Sequence, residues 1–245
     1  MTYSKALAII GCDADGRITE ALSSLGFCVQ TLPRHDSLPR PVSSHADMLI
    51  FEMGGCVFAE RKYIEGAKSI FDTISSFGYN IVPCDISLGN KYPDDIAFNI
   101  ALCNGVLFGN DKYNALSIIE LAKDLGIKIN PVKQGYTKCS AAVLGNDAII
   151  TADEGIASAA EANGISVLKI NNSPDSVSLD GYNYGFIGGA CGVHNGSIYF
   201  TGNIELHPQG DVIKAFCQSL GYNIVNLSDS RLVDVGGIIF LPYID

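Results

Sequence analysis

No run of basic residues occurs anywhere in this sequence of 245 residues, and Lys and Arg number 16 against 26 Asp and Glu. The formal net charge of −10 argues against a nucleic-acid partner, because phosphate recognition needs a concentrated Lys/Arg face. No apolar stretch approaches the roughly 20 residues of a spanning helix, so no membrane association is expected. The N-terminal run MTYSKALAIIG stops at Gly11-Cys12-Asp13, short of the apolar core and small-residue cleavage site of a signal peptide. The eight cysteines are scattered and form no C-x-x-C pair, which argues against zinc knuckles and thioredoxin-type motifs. Gly11–Gly16 follows an apolar run but lacks G-x-G-x-x-G, and its two acids would repel a pyrophosphate. No metal-ligand spacing stands out. Neither a metal nor a cofactor is expected.

What is present is apolar. Apolar residues make up 47% of the chain and charged residues 17%, too apolar a balance for disorder. A chain this long buries roughly 70–75% of its unfolded surface without disulfides. Free thiols in such a chain fit a reducing compartment, so a cytoplasmic location is expected.

One phrase recurs five times: a helix-like segment, a Gly, then a short β-rich run. It reads LGFCVQTL at 25–32, FGYNIVPC at 77–84, LGIKINPV at 125–132, NGISVLKI at 163–170 and LGYNIVNL at 220–227. Gly26, Gly78, Gly126, Gly164 and Gly221 close the helices. Their spacings are 52, 48, 38 and 57, an average of about 49 residues. Apolar strands precede the helices, beginning with 5–11, and helices are expected over roughly 15–25, 61–77, 111–125, 154–163 and 207–220.

Four units also carry a leading strand, at 45–53, 94–103, 138–145 and 186–194. Each joins the next strand through a tight turn, at Gly54-Gly55, Asn104-Gly105, Asn146-Asp147 and Asn195-Gly196. The first unit lacks a leading strand, and a surplus strand stands at 231–242. Pairing that strand with 5–11 closes five ββαβ units into a ring and removes the open edge. The expected architecture is an α/β, five-bladed propeller forming a single domain over 1–245. Its units are approximately 231–245 plus 1–32, 45–85, 94–132, 138–171 and 186–227. An open sheet of flavodoxin type is the alternative, and it leaves the C-terminal strand unpaired with 5–11.

Five such units resemble the pentein fold of the guanidine-modifying enzymes, as architecture over the whole chain. The phrases Lys133–Ser140, Gly185–Gly189 and Asp234–Gly237 are similar to those of an uncharacterised bacterial family of that fold. The resemblance implies a cysteine that attacks a guanidinium carbon, a His in an H-x-D phrase that moves protons, and carboxylates that hold the planar cation. His45-Ala46-Asp47 before an apolar strand matches the H-x-D phrase. It also reads as the end of a Pro-rich loop with Asp47 turning the chain. The hydrolases carry their cysteine near the C-terminus, where this chain has Asp234-Val235-Gly236-Gly237. Any nucleophile is therefore expected in another unit.

Two cysteines are candidates. Cys139 follows Lys138 in the most polar approach to any leading strand, and that ammonium would lower a neighbouring thiol's pKa. Adjacent strand residues point to opposite faces, however, and a buried structural thiol is the other reading. Cys191 and His194, three apart, meet only across a bulge. The remaining polar residues of the leading strands are Glu52, Asn99, Ser140 and Asp234, which would face a shared axial cavity. Buried carboxylates must meet a cation, a donor or water: a guanidinium or ammonium ligand is one answer, and internal pairing with Lys138 or Arg231 is the other.

The expected function is binding of a small guanidino or amino compound on the axis and, if catalytic, cysteine-dependent hydrolysis or transfer at a C–N bond. The competing class is a non-catalytic module of the same fold acting through a protein partner, as the ribosome anti-association factors do.

Overall fold

The computed structural model describes residues 6–244; Lys5, in the expected first strand, and residues 1–4 and 245 lie outside the described residues. The first strand, β1 (Ala6–Gly11), is wholly buried. A continuous apolar run of this kind suits a strand covered on both faces. Asp15 caps α1 (Gly16–Ser24) by accepting the Arg17 N–H, and the helix buries Ile18 and Leu22, one turn apart on one face. The outer strand β2 (Cys28–Leu32) runs parallel to β1.

The same grammar repeats four times. The second unit contains α2 (Ala46–Leu49), β3 (Ile50–Met53), β4 (Cys56–Glu60), α3 (Arg61–Gly66), α4 (Lys68–Ser76) and β5 (Asn80–Cys84). The third contains β6 (Ala101–Cys103), β7 (Val106–Gly109), α5 (Leu116–Asp124) and β8 (Lys128–Pro131). The fourth contains α6 (Thr137–Ser140), β9 (Ala141–Leu144), β10 (Ala148–Thr151), α7 (Glu154–Ala162) and β11 (Ser166–Lys169). The fifth contains β12 (Cys191–His194), β13 (Ser197–Phe200), α8 (Gly210–Ser219) and β14 (Asn223–Asn226). Each unit contributes a three-stranded sheet, antiparallel on its inner side and parallel on its outer side.

The last strand, β15 (Ile239–Pro242), pairs antiparallel with β1 in the register Ala6↔Pro242 to Ile9↔Ile239. The first sheet is therefore completed by the far end of the chain, and the open-sheet alternative is overturned. The five glycines after the helices all have positive φ, between 67° and 93°.

Three expectations need correction. The turn at Asn146-Asp147 spans three residues instead of two, because Gly145 takes the positive φ of 55° and Leu144 pairs with Ala148. The helix over 61–77 breaks at Ala67 into α3 and α4. The leading segments are strands only in their second halves. Their first halves are single helical turns, α2 at 46–49, α6 at 137–140 and a 3-10 turn at Gly188–Ala190, and residues 231–238 are loop. Side chains fan out around such a turn, where extended strands would alternate them between two faces.

Candidate functional site

The axial ends of α2 and α6 meet through Asn99, which is wholly buried just before β6. Its carbonyl Oδ1 accepts the backbone N–H groups of Lys138 at 2.8 Å and Cys139 at 3.2 Å. Its amide nitrogen donates to Asp47 O at 3.2 Å and lies 3.0 Å from Cys139 Sγ. The Cys139 thiol in turn donates to Asp47 Oδ2 at 3.1 Å. One amide thus holds two neighbouring helical turns in register and brings thiol and carboxyl together.

The loop 231–238 crosses the same place. Asp47 N–H donates to Gly236 O at 3.1 Å, while Val235 and Gly237 N–H both donate to Gly189 O. This packing explains two sequence phrases. A Cβ on Gly236, whose φ is 76°, would collide with His45, and one on Gly189 would collide with the Asp234 carboxylate. Only glycine fits either position. Asp234 Oδ1 accepts Gly236 N–H at 3.0 Å and Oδ2 accepts Phe186 N–H at 2.9 Å. It lies 3.7 Å from His45 Nδ1. Asp234 therefore ties the loop before Gly188 to the C-terminal loop and stands beside the imidazole.

His45, Cys139 and Asp234 share the floor of a cavity of about 330 Å³. Tyr136, Tyr182, Tyr184 and Phe186 supply its aromatic walls. Tyr136 is braced by donating to the buried Asp95 carboxylate at 2.8 Å. Asp47 stands behind Cys139 and opens instead on a second cavity of about 200 Å³, which it shares with Glu52 and Lys138.

The electrostatics of the floor are unbalanced. Burial, followed by repulsion from Asp47 and Asp234, pushes the Cys139 thiol well above its ordinary value. Burial also pushes the Asp47 carboxyl up, with attraction from His45 and Lys138 working against it. Asp47 Oδ1 and His45 Nδ1 are buried without a hydrogen-bond partner. An unpartnered buried carboxylate oxygen is costly.

Several expected roles are not met. Lys138 does not activate Cys139: its ammonium turns toward Gly188 O at 3.4 Å, and burial with two acids prevails over it. Lys138 makes no ion pair with Glu52 or Asp234 among the described residues, and Arg231 pairs with Asp175 instead. Glu52 accepts Gly55 N–H across its own hairpin and faces the second cavity, where burial raises its carboxyl. Ser140 ends α6 with its hydroxyl buried and unpartnered, outside the cavity floor. No bulge brings Cys191 and His194 together, because their strand pairs residue by residue from Cys191↔Phe200 to His194↔Ser197. His194 stacks on Phe240 at 5.4 Å, and burial lowers its pKa. Burial pushes the Cys191 thiol up to about 12. Tyr136 and the 179–186 loop were not expected at the site. The signal available was the aromatic spacing of Tyr182-Asn183-Tyr184-Gly185-Phe186 within an otherwise polar, turn-rich segment. Among the described residues no group of three or more His, Cys, Asp or Glu is placed to hold a metal, and no helix is long and apolar enough to cross a membrane.

Solved structures share this architecture. DDAH from Pseudomonas aeruginosa, a cysteine-to-serine mutant complexed with citrulline, superposes with a TM-score of 0.56 at 12% identity, covering 98% of this chain and 100% of that one. SxtG, an amidinotransferase from Microseira wollei in the saxitoxin biosynthetic pathway, gives 0.57 at 9% identity, covering 92% and 78%. The N-terminal domain of ArgZ, a cyanobacterial arginine dihydrolase bound to substrate, gives 0.56 at 11% identity, covering 98% of each. The chain has the pentein fold. No curated protein sequence matches it. A profile described as "Family of unknown function (DUF6873)" matches residues 9–239, and the chain belongs to that family.

Proposed function

We propose that this protein is a cysteine-dependent enzyme acting at a C–N bond of a small guanidino or amidino compound, with Cys139 as nucleophile. The observation that carries the reading is Cys139 Sγ on a cavity floor, hydrogen-bonded to Asn99 and Asp47, with His45 and Asp234 lining the same cavity. The likeness in fold to amidinotransferase and dihydrolase structures supports it.

The raised thiol fits this chemistry. Burial, Asp234 on the floor and Asp47 behind Cys139 all disfavour the thiolate, so the thiol keeps its proton. A planar cation beside Cys139 supplies the missing charge next to Asp234 and lowers the thiol's pKa as it binds. The thiolate then forms an S–C bond to the cationic carbon. His45 takes the thiol proton and delivers it to the departing nitrogen as the C–N bond breaks. In a hydrolase, water adds to the sulfur-bound carbon, the S–C bond breaks, and the thiol recovers a proton; in a transferase, an amine takes the place of water. Asp234, occupied by two backbone N–H groups, orients His45.

Chloroacetamidine and chloroacetamide differ in charge but share the reacting carbon and the leaving chloride. With rates normalised to a free thiol, the amidine is expected to alkylate Cys139 about 100-fold faster than the amide, corresponding to roughly 2.7 kcal/mol of charge recognition. Mass spectrometry locates the label, and Cys139→Ser loses the label at that position and with it the preference for the amidine. Equal normalised rates at Cys139, or labelling elsewhere first, would overturn the reading.

A further inference from the structure

The rest of the cavity describes the rest of the ligand. Among the described residues no Lys or Arg lines it. Apart from the floor, its lining is the four aromatic rings, Val42, Met48 and Leu179, and the neutral Asn183. Tyr182 and Tyr184 stand at the rim, 53% and 38% exposed, on the loop that Asp234 anchors through Phe186 N–H. Tyr136 meets Tyr92 and Tyr184 meets Phe186 ring to ring, and the Tyr182 and Tyr184 rings keep large exposed aromatic surface. An adjoining cavity of about 260 Å³ shares His45, Leu179 and Asp234 and does contain a cation, Arg40. Asp13 and Asp180 line that cavity with it, so a carboxylate reaching Arg40 would meet two further acids.

We propose that the compound taken by this cavity joins its cationic head to an apolar aryl or branched alkyl body and bears no carboxylate. This rests on the cysteine-centred reading above and adds the substrate class. Charge complementarity is one argument: a site with the Asp234 carboxylate at its floor and no basic wall disfavours an amino-acid tail, and desolvating a carboxylate against tyrosine and leucine is costly. The walls are the other. Aromatic faces attract a cation and bury an apolar body at once.

The test compares benzylguanidine, arginine and benzylurea by isothermal titration calorimetry on the Cys139→Ser protein, and by amine or ammonia release on the wild type. Benzylguanidine is expected to bind about tenfold or more tightly than arginine, the share of affinity that one buried phenyl group contributes. It is also expected to bind more tightly than benzylurea, which has the same body without charge. Tyr182→Arg, at an exposed position, should narrow or reverse the preference over arginine without disturbing the fold. Arginine binding as well as or better than benzylguanidine would overturn the substrate class and leave the cysteine reading standing. Benzylurea binding as well as benzylguanidine would overturn the cationic head. Absence of binding by all three, together with indifference of Cys139 to chloroacetamidine, would overturn both readings.

Discussion

Cys139 and Cys191 are both buried near the junction of a short helical turn and an inner strand in successive units, two register positions apart: Cys139 lies within the turn α6, and Cys191 opens the strand β12. Cys191 pairs with Phe200 and belongs to a buried apolar cluster that includes Ala142, Ile198 and Leu232. Cys139 touches a buried amide and a buried carboxyl that come from the two units before its own. The two thiols differ little in local sequence type and greatly in what the neighbouring units present to them. In a ring of repeats, chemistry is assigned by the interfaces between units.

The sharpest way to break this comparison is to truncate both thiols. Cys139→Ala is expected to abolish turnover, a loss on the order of 10³-fold or more. Cys191→Ala should leave kcat within about twofold and cost about 1 kcal/mol of stability, as a small cavity does. Steady-state kinetics and thermal melting read both, and equal kinetic losses would end the distinction.

The carboxyl that separates the two sites comes next. Burial raises Asp47 in the folded protein, so the folded state holds that proton more tightly than the unfolded chain does. The associated stability is present below the ordinary Asp value near ~3.9 and is lost as pH rises through the folded value. Asp47→Asn has nothing to ionise. Melting curves should therefore show the variant gaining on the wild type as pH rises, and a constant difference would contradict the burial argument. The same substitution removes the largest neighbouring charge that raises Cys139, so its thiol should titrate lower while the affinity for a guanidinium falls.

The smallest effect concerns the resting protein. Neutral iodoacetamide near neutral pH should label exposed Cys12 first, with Cys139 and Cys191 both slow because burial keeps both thiols protonated. Fast labelling of Cys139 without a cation would show that the floor is not acid-dominated.

Much of the ring was legible because its signals are local. Gly26, Gly78, Gly126, Gly164 and Gly221 punctuate the helices, and a surplus C-terminal strand answers a missing N-terminal one. Asn99 and Asp234 were also legible as polar residues inside leading strands, His45 and Asp47 through the resemblance of their H-x-D phrase, and Cys139 through the polar approach that carries it. Their mutual arrangement was not. Read as strand, the segment 138–145 sends Lys138 and Cys139 to opposite faces and leaves open which faces the axis. The one-turn helix α6, held by Asn99 from another unit, settles that question. Lys138 looked like an activator because it is adjacent in sequence, but its ammonium points to Gly188 O.

The sequence by itself determined the repeat, the pairing of its two ends and the residues that do not belong in a dry core, since these depend on periodicity, turn chemistry and polarity within a few residues. Only the tertiary structure decided which of those residues meet, that the cysteine is held by an amide and a carboxyl and not by lysine, and that the walls above it are aromatic. Each of these is a contact between chain segments far apart in sequence, and burial and charge act through distance in space.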